Sequence, residues 1–410
     1  MVIQRREFVG LGAVAAGGAL LRARLAFALP DAGKSRFVLV VMRGALDGLA
    51  AAPPLGDRDY PELRRELALR PPGESGGALP LDGFFGLHPS LAFLQQCYAA
   101  RELIVFHALA GPYRERSHFD GQDVLENGSP RPHALQTGWL NRALGATPRQ
   151  GARAAGVALG QNVPLVMRGP APVTSWSPSK LAGLDDDTLS RITDLYAGDA
   201  LLATRLADAL AANAMATGDS SEDTALRPQA AAAPGARGAA RYAEVVRAAA
   251  GFMRREDGPK VAVFDTSGWD THANEGGAQG QLAGRLGELD AGLATLHQQL
   301  GPTWQHTAVL LLTEFGRTAA LNGTRGTDHG TATVAFLVGG AVAGGRVIAD
   351  WPGLSSRALY QGRDLAPTLD VRSVLKCVLS EHLSVPARTL EQDVFPDSAA
   401  ARSLHGLMRV

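Results

Sequence analysis

An α/β fold, doubly wound around a mostly parallel sheet with helices on both faces, is what this sequence predicts. Three observations carry that prediction. Five unbroken apolar runs of strand length are bounded by polar or glycine signals; a leucine stripe at helical spacing lies between two of them; and strand and helix signals alternate along much of the chain. Unbroken apolar character marks strands covered on both faces, and ligands of such sheets sit beyond the carboxyl ends of the strands.

Residues 1–28 read as a twin-arginine signal peptide. Arg5-Arg6 precede a small-residue apolar run from Gly10 to Leu21, then Arg22, Arg24 and the small-x-small end Ala26-Phe27-Ala28. Such a signal implies passage through the twin-arginine translocase in the folded state and a periplasmic or extracellular destination. Residues 29–410 then form a single domain, whose first strand runs are Phe37–Met42 and Leu103–Phe106. From about residue 199 to 255 the composition turns alanine-rich, which reads as a helical insertion with an exposed linker at Gly218–Asp223 and Pro228–Gly238. Val261–Phe264, Ala308–Leu312 and Val334–Val338 are the remaining strand runs. Between the third and fourth runs Leu282, Leu286, Leu289, Leu293, Leu296 and Leu300 are spaced by fours and threes, one side of a helix. An amphipathic helix from about Pro367 to His382 packs the tail against the sheet.

Composition excludes several function classes. Forty basic side chains balance forty acidic ones, which leaves no electrostatic footprint for nucleic acid or an anionic membrane. Removal of Arg5, Arg6, Arg22, Arg24 and Glu7 with the signal takes the net charge from zero to about −3. An apolar fraction of 46% excludes disorder. Two cysteines cannot make a disulfide scaffold; Cys97 and Cys377 lie in helical apolar patterns and read as core residues, with a bridge between them left open. The chain has no Walker loop, no Gly-x-Gly-x-x-Gly after the first strand and no Gly-x-Ser-x-Gly elbow, so nucleotide-cofactor enzymes are disfavoured.

Polar residues cluster after the predicted strands. The first run leads into Arg43-Gly-Ala-Leu-Asp47-Gly48, and the second reaches Arg116-Ser117-His-Phe-Asp120 and a helix ending at Gly128. The third continues to Trp269-Asp270-Thr-His272; the fourth ends in Thr313-Glu314-Phe-Gly-Arg317, followed by Gly326-Thr-Asp328-His329-Gly330. Taken singly these have structural readings: helix caps, turn residues and local ion pairs. Carboxylates and imidazoles at several strand ends of one sheet together are a metal-site inventory. The histidines at 88, 107, 133, 297, 306, 382 and 405 fit no ligand spacing and read as structural.

These segments resemble the bacterial family called domain of unknown function 1501, grouped with the alkaline phosphatase and sulfatase superfamily and often exported by the twin-arginine route. The resemblance implies an alkaline phosphatase-like fold with a one- or two-metal site at the carboxyl edge of the sheet. It implies Asp47, Asp270, His272, Glu314, Asp328 and His329 as metal ligands, with zinc or manganese favoured over calcium. Ser117 matches the nucleophile position at a helix start, and Arg43 or Arg317 would stabilise the anion's oxygens. Two departures stand out: one residue separates Asp270 from His272 where the superfamily more often has three, and Thr313-Glu314-Phe-Gly occupies the place of its Asp-His. Ser117 also lacks the x-Pro-Ser-Arg that follows a sulfatase nucleophile. The implied activity is a metal-dependent hydrolase of phosphate esters or related small anions. The alternative is a non-catalytic exported protein that keeps the fold as a binding or assembly module.

Overall fold

A computed structural model describes residues 33–147, 154–178, 186–217 and 234–409. The expected signal segment, 1–28, and residues 218–233 of the expected linker lie outside the described residues. In chain order the strands are β1 (Arg36–Arg43), β2 (Leu79–Pro80), β3 (Gly86–Leu87), β4 (Leu103–Ala110), β5 (Gly156–Leu159), β6 (Val173–Trp176), β7 (Val261–Ser267), β8 (Thr307–Leu312), β9 (Thr333–Val338), β10 (Arg346–Ile348) and β11 (Leu369–Asp370). Among the described residues nine of them form one sheet in the order β10-β4-β9-β8-β1-β7-β5-β6, with β11 also against β4. Every pairing is parallel except those of β9, which runs antiparallel to both β4 and β8.

Side-chain alternation explains why the apolar runs had no polar face. Phe37, Leu39 and Val41 enter one hydrophobic cluster, while Val38, Val40 and Met42 enter the other. The second of these faces is covered by helices Ala92–Ala99, Pro234–Arg254 and Gln281–Leu300, and the first by Trp139–Ala146 and Val371–Leu383. All six leucines of the stripe are buried in helix Gln281–Leu300, each burial being worth about 1.5–3 kcal/mol. The α/β expectation therefore holds, with helices on both faces of a mostly parallel sheet. Cys97 belongs to one face and Cys377 to the other; neither forms a disulfide, and burial pushes both thiols up to about 12.

Two boundaries differ from those read in the sequence, and two strands were not read there. The stretch Pro234–Gly238 opens a helix, with proline at its first position where its missing N–H costs nothing. The tail helix begins at Val371, because Asp370 caps it by accepting from Arg372 N and the preceding residues pair with β4 as β11. Strands β5 and β6, four residues each, are too short to stand out as apolar runs. No helix among the described residues is long and apolar enough to cross a membrane.

Topology places the rim. β1 lies between β7 and β8, so the three carboxyl ends are neighbours. β8 and β9 are antiparallel neighbours joined without a crossover helix, so the loop 313–332 starts and ends on that same rim. β4, antiparallel to β9, delivers helix His118–Asn127 there as well.

Candidate metal centre

Three imidazoles meet at this rim. His329 Nε2 lies 2.9 Å from His118 Nε2 and 3.0 Å from His272 Nε2. Asp270 Oδ1 is 3.1 Å from His272 Nε2 and 3.2 Å from His329 Nε2, and its Oδ2 is 3.5 Å from His118 Nε2. Among these, His118, Asp270 and His329 each offer a ligand atom within 4.8 Å of the others.

The far nitrogen of every ring is fixed by a group that can only accept. His118 Nδ1 faces Glu314 Oε1 at 2.7 Å, His272 Nδ1 faces Asp328 Oδ1 at 3.1 Å, and His329 Nδ1 faces the Arg116 carbonyl at 3.0 Å. Each Nδ1 is therefore an N–H donor, and with the rings neutral the Nε2 lone pair of His329 faces those of His118 and His272 beside a carboxylate. Acceptors so arranged repel unless positive charge lies among them. Ligand atoms bonded to one divalent ion at 2.0–2.2 Å sit about 2.8–3.6 Å apart between octahedral and tetrahedral geometry, the range in which the distances from His329 and Asp270 to their neighbours fall. The imidazole nitrogens of His118 and His329 with an oxygen of Asp270 thus fit a transition-metal cation, and His272 Nε2 stands beside them against His329 and Asp270.

The supports are more buried than the ligands. Glu314, its side chain fully buried, also accepts from Gly44 N at 2.9 Å, Gln122 Nε2 at 3.0 Å and Thr313 Oγ1 at 2.9 Å. Phe315 stacks on His118 with ring centroids 5.0 Å apart. Arg317 is buried and donates from Nη1 to Asp270 Oδ1 at 2.5 Å, while Nε bonds Thr327 Oγ1 at 3.1 Å and Nη2 the Thr327 carbonyl. Two glycines allow the close approaches. Gly44 has φ +123°, and a Cβ there would lie 2.8 Å from Asp270 N; one on Gly326 would lie 2.5 Å from the His272 carbonyl carbon.

Charge follows the geometry. The hydrogen bond to Glu314 raises His118 above the ordinary histidine value, while burial and the nearby His118 charge lower His329. Burial works against ionising Asp270, yet Arg317 holds its carboxyl below the usual range. Glu314 is likewise kept low against burial, by His118 and Gln122.

Of the residues singled out in the sequence, the structure brings Asp270, His272 and His329 to one point. Glu314 and Asp328 stand behind the ligands and orient them. Asp47 is elsewhere: Oδ1 accepts from Leu49 N at 3.0 Å and Ala50 N at 3.2 Å as a helix cap, and Oδ2 pairs with the buried Arg64. This corrects its expected role as a ligand, because both oxygens are already engaged inside the protein. Arg43 is bound to Asp265 at 2.5 Å and Glu126 at 2.8 Å, and all of Arg317's bonds run to Asp270 and Thr327, so both guanidiniums are already engaged within the protein. Ser117 precedes helix His118–Asn127 as its N-cap and makes no side-chain capping bond. Sequence reading missed His118, whose place next to the nucleophile candidate in Arg116-Ser-His-Phe-Asp120 was the available signal.

Residues 109–391, more than half of the chain, match the family described as "Protein of unknown function (DUF1501)". The chain belongs to the DUF1501 family. The DUF1501 match contains all three imidazoles, Asp270 and their supports, while Gly44, which donates to Glu314, follows β1 ahead of it. No curated protein matches this DUF1501 chain in sequence. Solved structures that resemble it include Ps i-CgsB in complex with k-i-k-neocarrahexaose, at 9% identity and a TM-score of 0.37, over 77% of this chain and 68% of that one. Another is BT33494S-sulf, from work on glycosaminoglycan metabolism by Bacteroides thetaiotaomicron, at 10% identity and TM-score 0.35, over 90% and 75%. A third is the C-terminal periplasmic domain of EcEptC from Escherichia coli in complex with Zn, at 9% and 0.28, over 74% and 72%.

Proposed function

We propose that this chain is an exported metal-dependent hydrolase of phosphate esters or related small anions, with one divalent cation held by His118, Asp270, His272 and His329. The observation that carries the reading is the approach of His118 and His272 Nε2 to His329 Nε2 beside Asp270, with each ring's Nδ1 fixed by an acceptor. A nitrogen-rich set favours zinc over manganese and calcium. Bound there, the cation supplies Lewis acidity toward the ester's oxyanion and lowers the pKa of an attacking hydroxyl or water. Glu314 and Asp328 keep His118 and His272 in the tautomer that presents Nε2, and Arg317 holds Asp270 in place. Ser117, uncommitted to capping at the amino end of a ten-residue helix, is the proposed nucleophile, and the helix end favours an anion beside it.

The second reading, a binding or assembly module, is favoured by the internal ion pairs of Asp47 and Arg43, which already engage an expected metal ligand and an expected catalytic group. Elemental analysis of the mature protein, with hydrolysis assays on phosphomonoesters, phosphodiesters and sulfate esters, decides between them. The hydrolase reading expects about one equivalent of metal and turnover lost in His329→Ala and Ser117→Ala. Bound metal without turnover on any ester supports the module; a protein that takes up no divalent ion removes the metal centre.

A further inference from the structure

A cleft of about 770 Å³ opens beside the imidazole cluster. Phe119 and Trp269 line it, and the residues adjacent to them in the chain, His118 and Asp270, belong to the cluster. Gln122 joins the two directly, since it lines the cleft and donates to Glu314. The volume far exceeds that of a phosphate or sulfate ion and suits a ligand with an organic body. Phe119, 87% exposed, offers that body a flat apolar face.

Charge in the cleft is unevenly matched. Its four carboxylates are all engaged: Asp265 and Glu126 by Arg43, Glu288 by Arg285 at 2.8 Å, and Asp123 by Asn127 Nδ2 and His133 N, both at 2.7 Å. Of its four arginines, Arg43 and Arg285 hold those carboxylates. Arg168 and Arg241 are exposed and have no carboxylate partner among the described residues; Arg168 donates only Nε, to the Val163 carbonyl at 2.9 Å. Two guanidiniums without a carboxylate partner among the described residues thus face a cavity whose own carboxylates are each already engaged by donors.

We propose that Arg168 and Arg241 form a second anion subsite, so that the chain takes organic esters carrying two acidic groups, one at the imidazole cluster and the other in this cleft. The assignment rests on the hydrolase reading for the first group only. A phosphate, a sulfate or a carboxylate offers the second fork the same paired oxygens. Isothermal titration of the mature chain with fructose 1,6-bisphosphate, 6-phosphogluconate and glucose 6-phosphate tests it at fixed ionic strength. The two-acid ligands are expected to bind at least about tenfold tighter than the one-acid ligand, and Arg168→Ala/Arg241→Ala is expected to abolish that gap. Arg388→Ala, at an exposed arginine outside the cleft, should preserve it. A gap seen with the bisphosphate alone assigns the subsite to phosphate; a gap with both assigns it to any acid.

Equal or undetectable binding of all three ligands to the wild type, or a gap that survives in the double variant, overturns the proposal. The metal reading is separated by His118→Ala/His329→Ala. That variant should weaken all three ligands by a similar factor and leave the gap standing, even in a protein found to hold no metal.

Discussion

Glu314→Gln removes the charge behind His118 and little else. The carboxylate is fully buried; Oε1 accepts from His118 Nδ1, Gly44 N and Gln122 Nε2, and Oε2 from Thr313 Oγ1 alone. A carboxamide with its oxygen in the Oε1 position keeps the three bonds made there and turns its NH2 to the Thr313 hydroxyl, which can accept. Volume and bonding survive while the negative charge does not. Outer carboxylates of this kind contribute about 10- to 100-fold in metal affinity, or about 1.4–2.7 kcal/mol. The zinc Kd, measured by competition with a chromophoric chelator, should rise by that factor, while the chelated protein's stability in a denaturant melt should change by less than about 1 kcal/mol. Asp328→Asn gives an internal comparison: Asp328 is 55% exposed, solvent screens its pairing with His272, and its loss should be the smaller. A Glu314→Gln Kd within about twofold of wild type would refute the reasoning, because the ring would then be held without its acceptor's charge.

Four further outcomes are expected. Asp47→Asn should cost about 3–5 kcal/mol in a denaturant melt, because it leaves Arg64 buried with its main counter-charge gone. Glu275→Gln should cost less than about 1 kcal/mol, since burial and the Asp47 charge already raise Glu275 well above the glutamate range and keep it protonated. The folded chain consequently holds a proton that the unfolded chain releases between the ordinary glutamate pKa and that raised value. Stability should fall as pH rises through this window, and Glu275→Gln should remove that slope. Gly44→Ala forces a side chain into φ +123° and against Asp270 N, so about 1–3 kcal/mol of stability and measurable metal affinity should be lost together. Arg5→Lys/Arg6→Lys should hold the protein in the cytoplasm by fractionation and immunoblot, with the signal uncut.

Legibility varied with how far each feature depends on distant parts of the chain. The strand runs and the leucine stripe follow from local periodicity, so β1, β4, β7, β8 and β9 stood out and their faces were predictable. The direction of β9 did not, because nothing in Val334–Val338 says whether the segment before it crosses over or turns back. That turn decides the site, since it sets Glu314, Arg317, Asp328 and His329 on one rim. Residue types at the strand ends located the rim, but ligand and support could not be told apart: an Asp or Glu next to a His reads the same whether it touches a cation or the ring's other nitrogen. Asp47 was misread for a different reason. Its partner Arg64 lies in an unremarkable polar stretch, and only the fold brings a fully buried guanidinium to it.

Cys97 and Cys377, shut into opposite sides of the sheet with thiols pushed up to about 12, make the chain its own opening sensor. A thiol reagent can reach either sulfur only when the covering helices lift, so the labelling rate at each position reads out one layer's breathing independently. Comparing the two rates with and without zinc would tell which layer the imidazole rim braces, without any engineered probe.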